Sequence, residues 1–308
     1  MSFIRAGRHP LLTWWQRVDR VSVGLLLSIM VLGGLVLITA SSAVATDFGV
    51  SVWHFTERQA MFTLGSLGVL LLFSAFTLER LKIIALLLLV AALVGVALTL
   101  VLGEGVKGAT RWIAIAGFKL QPSEFLKPSL VLVTAWLFAT TDPARAKQNF
   151  ILSLGLMGLV TLLLLLQPNF GMCLIIMGVW MVQVFLAGYP FIWIIGLVGA
   201  GSTLVVAGYF MFAHVRSRID RFLDPASGDT YQVDKALEAL SSGGFWGRGP
   251  GEGVIKHSLP DAHTDFVFAV VGEEFGLIAC SLLLLLYAAL LWRLFGRLLQ
   301  QPDRFTIL

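Results

Sequence analysis

VSVGLLLSIMVLGGLVLITASSAVA runs from Val21 to Ala45 without a single charged residue. A helix of that length is longer than the ~30 Å of hydrocarbon it has to cross. Arg17 and Arg20 precede the run, and Ser42-Ala-Val-Ala45 imitates a leader cleavage site. The apolar stretch is too long for the core of a leader peptide, so the sequence predicts an uncleaved first membrane span.

The rest of the chain has the same character. Of its 308 residues 57% are hydrophobic and 13% charged, and the mean hydropathy is +0.87. These values exclude a water-soluble domain. Further apolar runs predict about eight spans in an all-α polytopic integral membrane protein: 21–45, 58–77, 83–103, 123–141, 150–167, 170–187, 189–212 and 270–293. The tight joints Gln167-Pro-Asn-Phe-Gly171 and Ala187-Gly-Tyr-Pro190 make spans five to seven sequential antiparallel neighbours. One joint is long, 213–264. Residues 1–308 read as one membrane domain without repeats. Cys173 and Cys280 fall inside spans as small hydrophobes, and neither a disulfide nor a metal site is implied.

Lys and Arg orient the bundle. With residues 1–20 as a cytoplasmic tail, the cytoplasmic segments hold eleven basic residues against four acidic ones, and the remainder holds eleven against fourteen. Both ends then face the cytoplasm. The 104–122 loop, the Gln167 joint and the 213–264 loop are extracytoplasmic. Span-flanking arginines explain the basic pI, and no nucleic acid is needed as a partner.

Three polar clusters lie on that outer face, where an ionisable group near hydrocarbon needs a partner or water. In the first, Lys107, Arg111 and Lys119 precede a helix that opens at Pro122-Ser123. Gln121 or Ser123 can cap it, and Glu124 and Lys127 at i and i+3 can pair. An ordinary interfacial salt bridge and a pocket for an anionic headgroup fit these residues equally. In the second reading Arg111 offers its fork of donors to phosphate, while Lys107 and Lys127 add point charges. The second cluster is Gln167-Pro-Asn-Phe-Gly171, which physics alone reads as a plain turn.

The third cluster is the long loop. It predicts a short helix over 231–240 and tight turns in Ser241-Ser-Gly-Gly-Phe-Trp-Gly-Arg-Gly-Pro-Gly251, which includes Arg248. It ends in LPDAHTDFVFAVVGEEFG, Leu259 to Gly276. On helical spacing Asp265, Ala269, Gly272 and Gly276 share a face, a small-residue seam that turns the carboxylate toward the bundle. Asp265 then serves either as a general base assisted by His263 and Thr264, or as an acid favoured by a helix N-terminus. Glu273 and Glu274 read as interface residues or as an arginine's partners.

RWIAIAGFKLQPSEFLK (111–127), QPNFG (167–171), GGFWGRGPGEG (243–253) and LPDAHTDFVFAVVGEEFG (259–276), in this order, resemble the SEDS family, the FtsW, RodA and SpoVE group. WWQRVDR (14–20) and LITASSAVA (37–45) are most similar to its alphaproteobacterial division members. The resemblance covers the whole chain. It implies an inverting peptidoglycan glycosyltransferase that polymerises lipid II, an undecaprenyl-pyrophosphate-linked disaccharide. It also implies a site at the division septum of the bacterial inner membrane and, as partners, the division transpeptidase FtsI with other divisome membrane proteins. By motif, Asp265 takes the place of the family's essential aspartate, proposed to deprotonate the acceptor 4-hydroxyl. Arg111, Glu124 and Lys127 match polar cavity residues, with Lys107, Ser123, His263 and Arg248 as further substrate contacts. A divalent cation, magnesium or manganese, is compatible with this chemistry, but the sequence offers no dedicated site.

Two departures stand out. Asn169 occupies a position where the family pattern reads Gln-Pro-Asp-x-Gly, which removes a carboxylate. The family usually has ten spans, so a chain ending at Leu308 is expected to lack the last two and to have lower stability or no activity. A lipid-linked precursor flippase and a non-catalytic scaffold that activates the transpeptidase are the competing readings. Clustering of the polar residues on one face favours the enzyme over the flippase.

Overall fold

The computed structural model describes residues 14–16, 18–47, 49, 51, 53–106, 109–115, 118–167, 169–223, 230–260 and 262–308. Helices occupy each of the predicted apolar segments: α1 (Arg20–Asp47), α2 (Trp53–Ser74), α3 (Leu78–Leu102), α4 (Pro122–Phe138), α5 (Pro143–Leu166), α6 (Phe170–Leu186), α7 (Phe191–Met211) and α10 (Val267–Leu298). Between α7 and α10 lie α8 (Ala213–Leu223), α9 (Tyr231–Ser242) and a 3-10 turn at Ile255–His257, and α11 (Arg304–Ile307) follows α10. The surface helix expected over 231–240 is therefore present as α9.

Among the described residues four helices are long and apolar enough to cross a membrane: Arg20–Ser41 within α1, then α3, α5 and α10. Phe170–Leu186 and Val198–Met211 are shorter apolar helices. Large apolar side chains such as Leu87 and Val101 point outward at 66% and 82% exposure. Water would penalise such a surface and lipid tails do not. The fold is that of a helical polytopic membrane protein.

One element escaped the expected all-α class. Residues 104–122 are not a bare loop; β1 (Glu104–Val106), β2 (Ala109–Ile115) and β3 (Phe118–Leu120) form an antiparallel sheet in the order β1-β2-β3. Thr110, Trp112, Ile113 and Ile115 supply the β-branched and aromatic content that suits a pleated surface. β1 and β3 have three residues each, too few for a periodicity, and the seven residues of β2 do not alternate strictly between polar and apolar.

The chain divides into two compact units, Met1–Phe76 with Pro225–Gln300, and Thr77–Asp224 with Gln301–Leu308. In the second unit α3, α4, α5 and α6 pack around Val96, Leu126, Leu130, Val160, Leu164 and Cys173. Polar side chains tie these helices where no water reaches. Thr134 donates to Gln183 Oε1 at 2.6 Å, and Gln183 Nε2 donates to the Val131 carbonyl at 2.9 Å. Helix starts are marked locally. Asp142 accepts from the Ala144 amide at 3.0 Å, and Pro143 fills the first position, where no N–H is required.

In the first unit α1, α9, α10 and the 255–262 segment supply a core that includes Ala40, Ala239, Ile255, Leu259, Ala262 and Val270. A seam of small residues on α10 does admit a neighbour. A Cβ at Gly272 would come within 2.5 Å of Leu240 Cδ2 on α9. At the far end of α10, Arg293 donates to both oxygens of Asp19 at 2.9 and 3.0 Å. Ser22 adds a bond of 2.9 Å, and Arg297 lies at 3.4 Å.

The Arg293 hydrogen bonds, aided by Ser22 and the arginine charges, outweigh burial and hold the Asp19 carboxyl far below its ordinary 3.8. A depressed carboxyl stabilises the fold fully above its unfolded pKa and loses that contribution as pH falls below it. Asp19→Asn is therefore expected to lower the melting temperature by a few degrees at pH 7. The difference from wild type should shrink below pH 3.8, which thermal unfolding in detergent at both pH values will show.

Candidate functional site

In the second unit, Arg111 lies at the α5–α6 joint, and Glu124 and Lys127 lie near the start of α4. Arg111 sits on β2, half-buried, with Nε 3.5 Å from the Gln167 carbonyl. Gln167 itself is buried, and its Nε2 donates to the Val96 carbonyl at 3.2 Å and to the Thr99 hydroxyl. The joint is therefore more than a plain turn, because it carries a fixed polar contact into the apolar core. Gln167 Oε1 and Asn169 Nδ2 are buried with no partner among the described residues.

Glu124 and Lys127 pair as their spacing predicts, at 2.7 Å, with side chains 49% and 36% exposed. Neither Gln121 nor Ser123 caps α4. Gln121 Nε2 instead donates to the buried Ser123 hydroxyl at 3.0 Å, and the cap position has no side-chain hydrogen bond. The Glu124 amide donates to the Gln121 main-chain carbonyl at 3.1 Å instead. Lys107 lies outside the described residues.

In the first unit, Asp265 does not continue α10. Residues 262–266 form turns, the helix starts at Val267 after Phe266, and Asp265 is exposed. This corrects the expected helical face. Ala269, Gly272 and Gly276 are buried on α10 as the seam predicts, whereas the carboxylate stands on the turn before the helix. His263 in the same turn is half-buried, with its ring 5.0 Å from that of Phe55 and its Nδ1 without a partner among the described residues.

The glycine-rich stretch binds its main chain to a break in α10. Gly276 interrupts α10 with φ 75° and ψ −175°, a combination open to glycine alone. Such a break strips Glu273 and Glu274 of their usual amide partners, four residues on. The Arg248 and Gly249 amides replace them, donating to the Glu273 and Glu274 carbonyls at 2.9 and 3.0 Å. The freed Leu277 and Ile278 amides donate to the Gly244 and Phe245 carbonyls at 2.9 and 3.3 Å. Main chain thus replaces main chain, bond for bond, where an orphaned group near lipid would be costly. Arg248 is exposed on this turn.

Beneath it lies a buried cluster that the sequence did not reveal. Glu274 pairs with Lys256 at 2.5 Å, not with an arginine. Glu273 accepts from the Val254, Ile255 and Lys256 amides at 2.7, 2.6 and 3.0 Å. A lysine in a long polar loop reads as solvated, so only the adjacent acids, enclosed in an apolar segment, hinted at it. Among the described residues no group of three His, Cys, Asp or Glu side chains comes together to hold a metal ion.

Residues 20–308 match the family of cell cycle proteins FtsW/RodA/SpoVE. The chain belongs to this family. The probable peptidoglycan glycosyltransferase FtsW of Caulobacter vibrioides is 35% identical over 305 residues, 99% of this chain and 78% of that protein. The FtsW of Halomonas elongata, which bears the same description, is 36% identical over 277 residues, 87% of this chain and 69% of that one. Stage V sporulation protein E of Bacillus subtilis is 30% identical over 285 residues, 88% of this chain and 77% of its own length.

Solved structures agree on the fold of this FtsW/RodA/SpoVE member. A chain of a peptidoglycan synthase complex, described as coordinating polymerization and crosslinking, aligns with a TM-score of 0.73 at 29% identity. The alignment covers 95% of this chain and 81% of that one. The rod shape determining protein RodA of Thermus thermophilus aligns with a TM-score of 0.65 at 28% identity, covering 95% and 80%.

Proposed function

We propose that this chain is a peptidoglycan glycosyltransferase that polymerises lipid II at the division septum, with Asp265 as the general base. The observation that carries the assignment is the exposed Asp265 carboxylate on a turn whose two flanks, 243–260 and α10, are bound to each other. Relatives described as peptidoglycan glycosyltransferases cover nearly all of the chain and support the reaction class.

In this reading the Asp265 carboxylate takes the proton from the acceptor 4-hydroxyl. The resulting oxygen forms a bond to C1 of the donor sugar from the face opposite the pyrophosphate. The C1–O bond to pyrophosphate breaks with inversion, and undecaprenyl pyrophosphate leaves with the electron pair. Arg111 and Lys127 act on the charge that builds on the leaving group. Ser123, Glu124, His263, Arg248 and Lys107 are assigned as surrounding substrate contacts. Magnesium or manganese is a candidate aid to departure. No described cluster is built to hold it, and no step is routed through it.

Arg and Lys distribution supports a cytoplasmic location for both termini and the opposite side for Asp265, where an exposed lipid-linked headgroup would be met. The partner is a transpeptidase that crosslinks the new strand, and for a division enzyme that is FtsI. Polymerisation of labelled lipid II in proteoliposomes tests the assignment. Glycan strands from the wild-type chain support it, and none from a folded chain with its transpeptidase favours a scaffold. Arg111→Ala is expected to raise the apparent KM for lipid II about tenfold, the loss of one charge-assisted contact. An unchanged KM would remove Arg111 from the donor site.

A further inference from the structure

Lys256, Glu273 and Glu274 are 1%, 0% and 0% exposed, and none of them has a part in the chemistry just described. Charges taken out of water carry a desolvation cost of several kcal/mol each, and an apolar trio of similar volume is often at least as stable. One oxygen of Glu274 has no partner among the described residues, a further cost. Stability alone is thus a poor reason for this cluster. Directed hydrogen bonds offer something that apolar packing does not, a single register.

The topology shows which register is fixed. Glu273 holds the Val254, Ile255 and Lys256 amides at 2.7, 2.6 and 3.0 Å. Lys256 Nζ returns to Glu274 Oε1 at 2.5 Å and also donates to the Thr39 carbonyl on α1 at 3.1 Å and to the Gly251 carbonyl at 3.3 Å. Residues 256 and 273 are thereby fastened together, and the segment between them becomes a closed loop with Asp265 midway along it. Leu259 and Ala262 on one side and Ala269 and Val270 on the other anchor its two arms in the core. A displacement of about 1 Å in such a group can cost on the order of a hundredfold in rate.

We propose that Lys256, Glu273 and Glu274 are positioning residues that set the placement of the Asp265 turn for acceptor activation, without touching substrate. The proposal rests on the glycosyltransferase reading above. Its test uses the full chain in proteoliposomes, comparing wild type, Asp265→Asn and the double variant Lys256→Met with Glu274→Met, which removes both charges and keeps the volume. Two quantities are read for each: initial polymerisation rate against lipid II concentration, and hydrogen exchange of the 262–266 amides.

The expected result for a folded double variant is kcat lowered by about tenfold to a hundredfold, apparent KM within about threefold of wild type, and faster exchange at 262–266. Wild-type kcat, or unchanged exchange there, would overturn the proposal. If the double variant does not fold, Glu274→Gln keeps the shape and one acceptor and is judged by the same two criteria. A wild-type chain that makes no polymer defeats the glycosyltransferase reading instead. The exchange measurement then still decides whether the cluster orders the turn.

Discussion

Asp265→Asn is expected to leave the fold intact and to reduce polymerisation by about 10²- to 10⁴-fold, the usual contribution of a general base. The substitution keeps size and one acceptor oxygen and removes the group that takes the proton. Asp265 is exposed on a turn and lies outside α10, so its loss opens no cavity and strands no buried partner. The melting temperature of Asp265→Asn should therefore match wild type, which separates lost chemistry from lost structure. Initial rates with labelled lipid II, alongside thermal unfolding of the same preparation, check both halves. Polymerisation within a few fold of wild type would remove Asp265 from the role of base.

Gly276→Ala is expected to cost about 3 kcal/mol or more of stability. Two costs combine. The backbone at φ 75° and ψ −175° lies where a residue with a Cβ is strained. The added carbon would also meet the Gly247 nitrogen and the Phe245 carbonyl oxygen, which are main-chain atoms with no rotamer to move aside. Relief would require withdrawal of the glycine-rich turn and would unpair the four bonds that bridge the helix break. Thermal unfolding measures the loss, and faster amide exchange at Arg248, Gly249, Leu277 and Ile278 locates it. A melting temperature equal to wild type would mean that α10 can close into a continuous helix.

The sequence reading succeeded where a single local rule governs. Charge-free runs place α1, α3, α5 and α10, and the i, i+3 spacing of Glu124 and Lys127 gives their ion pair. The apolar periodicity of 231–240 gives α9. It failed where the deciding partner is distant in the chain. Helical spacing put Asp265 on the same face as Ala269 because nothing local announces a start at Val267. Lys256 was passed over because its partners stand 17 and 18 positions away, and a cation amid polar residues gives no sign of burial. The glycines of 243–251 do form tight turns, but the helix break they serve depends on Gly276, which reads equally well as one more small residue in a seam. Of the strands of 104–120, β1 and β3 are too short to announce themselves, and β2 lacks strict alternation.

The pairing of residues 244, 245, 248 and 249 with 277, 278, 273 and 274 has a consequence for how this chain can change length. Together the bonds assume a fixed count of residues between 245 and 248 and between 274 and 277, and one residue inserted or deleted in either place would put the two pairs of bonds out of register. Side chains on the turn can vary, since Phe245 and Trp246 project outward at 69% and 82% exposure, but the spacing cannot. The stretches 244–249 and 273–278 thus act as a ruler, and gaps tolerated by natural variants are expected to fall outside them.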